Sequence, residues 1–212
     1  MSKMTPIIFI VDDDTKFRKS LARLVKSIGY DVEEFESAQK FLQRTIYNGP
    51  SCLLLDVRMP KVTGPDLQAE LLKRDALSPI IFLTAHIDMN TGIKAMKDGA
   101  FDFLLKPVEE HILFKTIEKA LNKYTRLKEK QNEINRIKQL LATLTPRENE
   151  VFRWIITGML NKQIAYDINI TERTVKAHRS QIMQKLKVLS VAELARLALK
   201  AGIPPAKKNP EL

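Results

Sequence analysis

The sequence predicts an α/β protein with a doubly wound five-stranded parallel sheet, followed by a long helical linker and a small all-α domain of four helices. Short apolar runs alternate with amphipathic stretches through the first half of the chain. Residues 122–142 then lack Gly and Pro and carry dense mixed charge, and helical patterns follow. Strands that are apolar throughout and alternate with helices are typical of parallel sheets covered on both faces.

The strands and helices of the first half can be read in order. The β-rich run at 7–11 precedes a helix at 17–29, for which Asp14 suits the N-cap and Gly29 the end. Further strands are predicted at 31–35, 52–56, 79–85 and 101–104, and helices at 37–47, 65–74, 89–98 and after Pro107. Sites in such sheets form beyond the carboxyl ends of the strands. Five polar residues at these ends are therefore expected to converge: Asp12, Asp13, Asp56, Thr84 and Lys106.

The second half is predicted to be all helix, at 146–157, 161–168, 172–186 and 190–201. In LTPRE, Thr145 can cap the first of these helices, Pro146 suits its first position, and Glu148 completes a capping box. The tight turn NITE indicates a helix-turn-helix. In the linker, apolar residues near a seven-residue rhythm leave open a coiled-coil seam or a plain exposed helix. We predict a first domain at 1–122, the linker at 123–142, the helix-turn-helix domain at 143–205 and a disordered tail at 206–212.

Composition and charge narrow the class of protein. No apolar run approaches a membrane span, the start does not resemble a signal peptide, and the single cysteine excludes an internal disulfide, so we expect a cytoplasmic protein with no membrane association. Residues 1–124 hold 18 Lys and Arg against 17 Asp and Glu, whereas residues 125–212 hold 17 against 8. This asymmetry favours a second domain that meets a polyanion, although a lysine-rich surface alone also explains it.

The carboxylates at the strand ends indicate a metal site. Clustered carboxylates repel one another unless a cation neutralises them, and Mg²⁺ with oxygen ligands does so. A lysine and a hydroxyl nearby suit a phosphoryl group, for which Asp56 would be the nucleophile. Taken singly, these residues have plainer interpretations: the acids at 12–14 as a helix cap, Thr84 as a strand end and Lys106 as a solvated charge. The ordered set at successive strand ends favours the functional interpretation.

The helix at 172–186 can be phased at about 100° per residue. Val175, Ile182 and Leu186 then face a core, and the opposite side is small, polar and basic, which fits the major groove of DNA. At the preceding helix, Asn161 and Lys162 can hold a phosphate. Surface charge for Lys176 and a packing role for His178 remain open. The predicted DNA-binding set is Asn161, Lys162, Arg173, Thr174, Lys176, Ala177, Arg179 and Ser180.

The first 120 or so residues resemble the receiver domain of two-component response regulators, through IVDDD, CLLLDVRMP with Gly64, LTAH and FDFLLKP. The resemblance implies a flavodoxin-like, CheY-like fold in which Asp56 accepts a phosphoryl group from a sensor histidine kinase. It implies Mg²⁺ held by Asp12, Asp13, Asp56 and the backbone carbonyl of Arg58. It also implies that Thr84 and Lys106 contact the phosphoryl oxygens, that Phe103 rotates in the switch and that the Lys106–Pro107 bond is cis. Ile87 departs from the family, where glycine usually stands.

Residues from LTPRE onward resemble the LuxR-type helix-turn-helix of NarL/FixJ regulators, through LTPRE, NKQIA and TVKAHR, and FESAQKFL is similar to the FixJ branch. The resemblance implies a non-enzymatic, phosphorylation-dependent transcriptional regulator that binds promoter DNA as a homodimer. The last helix would form the dimer contact. By analogy it would be an activator that works with RNA polymerase.

Two alternatives differ in function. One is a receiver-like transcription factor that binds DNA constitutively, against which the intact set of acids, Thr84 and Lys106 argues. The other is a Mg²⁺-dependent phosphatase of the haloacid dehalogenase type, whose DxDxT motif has the spacing of Asp12 and Asp14. Here Lys16 occupies the threonine position, and the basic helices are left without a role.

Overall fold

A computed structural model describes residues 4–74, 76–85 and 89–207, with the backbone only for 89–91. The chain divides into two compact units, Met1–Lys128 and Glu129–Leu212. In chain order the first unit holds β1 (Ile7–Val11), α1 (Thr15–Ser27), β2 (Asp31–Phe35), α2 (Ala38–Gln43), β3 (Ser51–Asp56), α3 (Gly64–Lys73), β4 (Ile80–Thr84), α4 (Met89–Lys97) and β5 (Asp102–Leu105). Helix α5 (Glu110–Leu141) begins in this unit, and the second unit adds α6 (Pro146–Ile155), α7 (Asn161–Asp167), α8 (Glu172–Leu186) and α9 (Val191–Ala201).

The five strands form one parallel sheet in the order β2-β1-β3-β4-β5, which confirms the predicted fold class. Alternate side chains of each strand enter different cores, because successive residues point to opposite faces. Ile8, Leu54 and Ile81 pack with α1 and α5, whereas Phe9, Leu55 and Phe82 pack with residues of α2, α3 and α4. Both faces of the sheet are therefore buried, and its carboxyl edge remains available for a site.

The prediction of a helix at 37–47 was too long, because α2 ends at Gln43. Arg44 leaves the helical conformation (ψ 156°), and its guanidinium carbon lies 4.2 Å from the ring centroid of Phe9 and 4.5 Å from that of Phe41. The extended backbone at Arg44 ends α2, and its guanidinium stacks on a ring of β1 as well as on one of α2 itself. Ile87, at which the sequence departs from the receiver pattern, lies outside the described residues.

In the second unit, Ile137 and Leu141 at the end of α5 share one core with α6, α7, α8 and α9. The predicted capping box begins α6: Glu148 N donates to Thr145 Oγ1 at 3.2 Å, and Thr145 N donates to Glu148 Oε2 at 2.7 Å. The predicted linker, 123–142, falls in α5 and the turn after it. Of the predicted tail, Ala206 N donates to Arg153 O at 3.0 Å, and 208–212 lie outside the described residues.

Candidate functional site

The register between β1 and β3 brings the first two acids of the site together. Val11 pairs with Leu55, so Asp12 and Asp56 are adjacent at the carboxyl edge of the sheet. Both are buried, whereas Asp13 is exposed. One carboxylate oxygen from each of the three residues lies within 4.8 Å of the other two. Three such ligands suit a hard divalent cation, so the residues that predicted Mg²⁺ do fit one.

Lys106 joins these acids from β5. Its Nζ donates to Asp12 Oδ2 at 2.6 Å and to Asp56 Oδ1 at 2.9 Å. The backbone N–H of Lys106 donates to the carbonyl of Thr84, a buried residue at the end of β4, at 2.7 Å. The Lys106–Pro107 peptide bond is cis, as the family resemblance implies. All five predicted strand-end residues therefore lie at one edge of the sheet.

The electrostatics of the pocket set Asp56 apart. Burial raises the pKa of Asp56, and the charges of Asp12 and Asp13 raise it further, against the hydrogen bond and charge of Lys106, which lower it. Burial lowers the pKa of Lys106, but its hydrogen bonds with the two carboxylates outweigh burial, so this pKa is raised. Lys106 is therefore a stable cation, and it is a single ammonium among three carboxyl groups.

Glycine is required at position 64 because the backbone of Asp56 packs closely against it. A Cβ at this position would lie 2.4 Å from the carbonyl oxygen of Asp56, and the N–H of Gly64 donates to Val57 O at 3.0 Å. Arg58 is exposed two residues beyond Asp56. Phe103 is half-buried on β5, with its ring centroid 5.9 Å from that of Phe82. These positions are compatible with the roles that the resemblance implies for Arg58 and Phe103.

Two residues of α1 belong to the site although sequence reasoning did not include them. The ring centroid of Phe17 lies 4.2 Å from Lys106 Nζ. Arg18 is buried and donates from Nη1 to the carbonyl of Asp12 at 2.6 Å. Phe17 begins the helix predicted at 17–29, and its apolar side chain gives no sequence signal for a polar site. The sequence does carry one signal for Arg18, since it is a basic residue one helical turn after Asp14, the N-cap of α1.

The predicted DNA-binding residues divide into two groups. On α8, Arg173, Lys176, Ala177 and Ser180 are exposed, and the buried residues Val175, Ile182 and Leu186 lie on its core side. Lys162 is also exposed, at the start of α7.

The other three predicted DNA-binding residues have partners within the protein, and so does the exposed Lys176, whose Nζ lies 2.9 Å from Glu172 Oε1. Thr174 lies in the N-terminal cap of α8, where its hydroxyl is 2.8 Å from that of Thr171. Arg179 Nη1 donates to Asn161 Oδ1 at 3.1 Å, and both residues are half-buried. A phosphate contact by either Arg179 or Asn161 would have to share or replace this hydrogen bond.

Comparison with known proteins identifies both units. Residues 8–118 match the response regulator receiver domain, and residues 142–198 match the bacterial regulatory proteins of the luxR family. The chain is also 37% identical over 201 residues to the transcriptional regulatory protein FixJ of Rhizobium meliloti (strain 1021), covering 94% of this chain and 98% of that protein. This chain is a response regulator of the NarL/FixJ family.

Other relatives of this response regulator also align with it over most of the length of both chains. Nodulation protein W of Bradyrhizobium diazoefficiens is 40% identical over 197 residues, covering 93% of this chain and 87% of that protein. The solved structure of response regulator StyR has 42% sequence identity and a TM-score of 0.76, covering 93% of this chain and 100% of that one. Full-length FixJ from B. japonicum has 36% identity and a TM-score of 0.56, covering 92% and 97%.

The family assigns this response regulator to two-component signalling and to transcription regulation through a LuxR-type DNA-binding domain. Receiver domains generally bind Mg²⁺ in an acidic pocket, which here corresponds to Asp12, Asp13 and Asp56. In the part of the chain that the structure describes, no helix is both long and apolar enough to cross a membrane.

Proposed function

We propose that this response regulator is switched by phosphorylation of Asp56 by a sensor histidine kinase, and that the phosphorylated form dimerises and binds promoter DNA. The observation that carries the proposal is the contact of Lys106 Nζ with both Asp12 and Asp56, beside a third acid within metal-ligand distance. Asp56 is a buried acid that is paired with the Lys106 ammonium and lies beside two further carboxyl groups that can bind a metal ion. This arrangement suits the formation of an aspartyl phosphate.

The transfer requires one bond to form and one to break. A carboxylate oxygen of Asp56 attacks the phosphorus of a phosphohistidine, the P–N bond breaks, and the imidazole leaves with its electron pair. Asp12, Asp13, Asp56 and the backbone carbonyl of Arg58 would hold Mg²⁺, which neutralises charge on the phosphoryl oxygens. Lys106 supplies a second positive charge for these oxygens, and Thr84 a hydroxyl donor.

Dimerisation is supported by exposed apolar residues around the β5 edge of the sheet. Ile93 and Met96 on α4, Leu105 on β5 and Ile112 on α5 are all large, hydrophobic and exposed. In the proposed switch, Thr84 moves toward the phosphoryl group and Phe103 into the space behind it. Because both residues adjoin these elements, the movement shifts the equilibrium toward the form that pairs through this face.

DNA recognition is assigned to α8. Its exposed residues present a guanidinium, an ammonium, a methyl group and a hydroxyl, which together suit base edges and phosphates in the major groove. Lys162 adds a phosphate contact from α7. Two linked domains on paired half-sites bind more tightly than one, so dimerisation raises the affinity for DNA. We infer an activator that contacts RNA polymerase from the resemblance to NarL/FixJ regulators alone.

The test compares wild type with Asp56→Ala, with and without beryllofluoride and Mg²⁺. Asp31→Ala is a matched control, because Asp31 is exposed at the amino end of the edge strand β2. Oligomeric state is measured by light scattering, and DNA binding on operators selected from random duplexes. We expect dimerisation and tighter binding in wild type and Asp31→Ala only.

Three results would count against the proposal. Equal dimerisation and DNA binding in all states would indicate a constitutive DNA-binding protein. Multiple turnover of a phosphoester would instead support the phosphatase. For activation, in vitro transcription with RNA polymerase should rise on phosphorylation, and a fall would identify a repressor.

A further inference from the structure

The ammonium group of Lys106 is enclosed on a third side by an aromatic ring. Besides Asp12 and Asp56, it faces Phe17, whose ring centroid is 4.2 Å away. This distance lies within the roughly 6 Å over which a ring face attracts a cation. Only 15% of the Lys106 side chain is exposed, so water competes little for that face of the ammonium.

The ring acts differently from the two carboxylates. Each carboxylate takes one of the three N–H donors of the ammonium, in a defined direction. The face of a ring attracts the positive charge without requiring a particular N–H direction, and the attraction grows where water is excluded. The ring therefore holds the ammonium near the pocket while leaving its donors able to turn toward a new acceptor.

The first turn of α1 fixes this ring in place. Asp14 accepts from the backbone N–H of Phe17 at 3.1 Å, and the ring packs against the core cluster that includes α1 and α5. The next residue, Arg18, holds the carbonyl of Asp12. One helical turn thus supports both the acid and the cation of the pocket.

We propose that Phe17 is a positioning residue for phosphoryl transfer, acting through Lys106. Its ring keeps the ammonium over the acidic pocket, so that the cation is in position when the phosphoryl oxygens arrive. A positioned charge stabilises the transition state without having to reorganise first. The proposal rests on the phosphorylation of Asp56 proposed above.

The first experiment measures the rate of phosphorylation of the full chain by acetyl phosphate with Mg²⁺. We expect Phe17→Leu to be slower by roughly threefold to tenfold, a range set by the strength of a cation on a ring. Phe17→Tyr retains the ring and should stay close to wild type. Phe101→Leu is a matched control: its ring packs on the same core and faces Lys123 Nζ at 5.3 Å, but it precedes the amino end of β5.

A double-mutant cycle separates positioning from packing. If Phe17 acts through Lys106, then Phe17→Leu has no further effect on the rate in a Lys106→Gln background. If the ring only fills space, the same loss appears in both backgrounds, and the proposal is overturned. It is also overturned if Phe17→Leu matches wild type, or if Phe101→Leu is equally slow. Thermal unfolding followed by circular dichroism verifies that each variant is folded.

A second readout does not depend on phosphorylation. We expect acetic anhydride to modify Lys106 at least about threefold faster in Phe17→Leu than in wild type or Phe17→Tyr, because the ring no longer holds and covers the ammonium. Mass spectrometry measures this rate against the other lysines. Unchanged labelling overturns the role of Phe17. Changed labelling in a chain that accepts no phosphoryl group instead supports the ring contact and overturns phosphorylation of Asp56.

Discussion

Lys106 Nζ lies 2.9 Å from Asp56 Oδ1, so the predicted phosphoacceptor is paired directly with a cation. The same ammonium lies 2.6 Å from Asp12 Oδ2. Both acids are buried, and within the described residues neither carboxylate forms a salt bridge with a second side chain. The stability of the pocket and the proposed phosphoryl transfer therefore depend on the same lysine.

Asp56→Asn should have a larger free energy of unfolding than wild type at pH 7 without metal. Burial raises the pKa of Asp56, so its ionisation disfavours the folded state. The gain should be absent below the ordinary Asp pKa of about 3.9 and develop as the pH rises through the higher folded-state pKa. Urea unfolding at several pH values measures it. Asp31→Asn, at an exposed acid, should show no such gain, and equal stability of Asp56→Asn and wild type at pH 7 would contradict the prediction.

Lys106→Met should lower the free energy of unfolding by about 3 kcal/mol in EDTA, because two buried carboxylates lose their cation. Mg²⁺ should recover part of this loss, since a divalent ion can neutralise the same acids. Urea unfolding with and without Mg²⁺ tests both expectations. The control is Lys16→Met, which removes an exposed charge from the first turn of α1. It should change the free energy of unfolding by less than about 0.5 kcal/mol. A loss that Mg²⁺ does not reduce would argue against a metal site.

Gly64→Ala should lower the free energy of unfolding by roughly 1 to 3 kcal/mol and slow phosphorylation of Asp56. The added methyl group would meet the carbonyl oxygen of Asp56, so the end of β3 must shift. Gly92→Ala is the control, since its Cβ would lie 3.9 Å from the ring of Phe103, an ordinary contact. Chemical unfolding and acetyl phosphate labelling measure the two effects. If both variants behave alike, close packing at Gly64 is not the reason for glycine there.

Glu148→Gln should destabilise the DNA-binding unit by roughly 1.5 to 3 kcal/mol at pH 7, the range for a hydrogen bond to a charged group. The Glu148 carboxylate is buried and accepts from Lys185 Nζ at 2.6 Å, and this hydrogen bond is the main cause that lowers its pKa. The stabilisation should be present above the ordinary Glu pKa of about 4.3 and disappear as the pH falls through the lower folded-state value.

The control for Glu148 is Glu150→Gln, which removes an exposed ion pair with Arg147 on the same helix. Such exposed pairs contribute at most about 1 kcal/mol. Unfolding of both variants is followed by the fluorescence of Trp154, the single tryptophan of the chain. Equal losses in the two variants would show that burial of Glu148 adds nothing.

Lys162→Gln and Ser180→Ala should weaken DNA binding in different ways. Lys162→Gln is expected to remove a phosphate contact, which lowers the affinity for all DNA sequences and reduces the slope of log K against log salt by about 1. Ser180→Ala is expected to remove a base contact, which changes the base preference at one position of the DNA site and leaves this slope unchanged. Fluorescence anisotropy on the selected operator and its single-base variants distinguishes these outcomes. A change in base preference with Lys162→Gln would reverse the assignment.

The sequence alone predicted most of the architecture, because the deciding signals are local. Apolar strands, helical spacing, the Thr145–Glu148 capping box and the turn before α8 each depend on neighbouring residues. The acids after β1 and β3 were predicted to converge because parallel strands place their carboxyl ends at one edge. The five polar residues at the strand ends were therefore predictable, whereas the parts played by Phe17 and Arg18 and the contacts within the pocket were not.

The tertiary structure decided which side chains meet, since these contacts join residues far apart in the chain. Strand register placed Asp12 beside Asp56, and β5 brought Lys106 to both. Helix α2 ends at Gln43, before the predicted end at 47, and Arg44 stacks on Phe9 of β1. The helix predicted at 17–29 includes Phe17, but only the packing of α1 against the sheet placed its ring over the Lys106 ammonium.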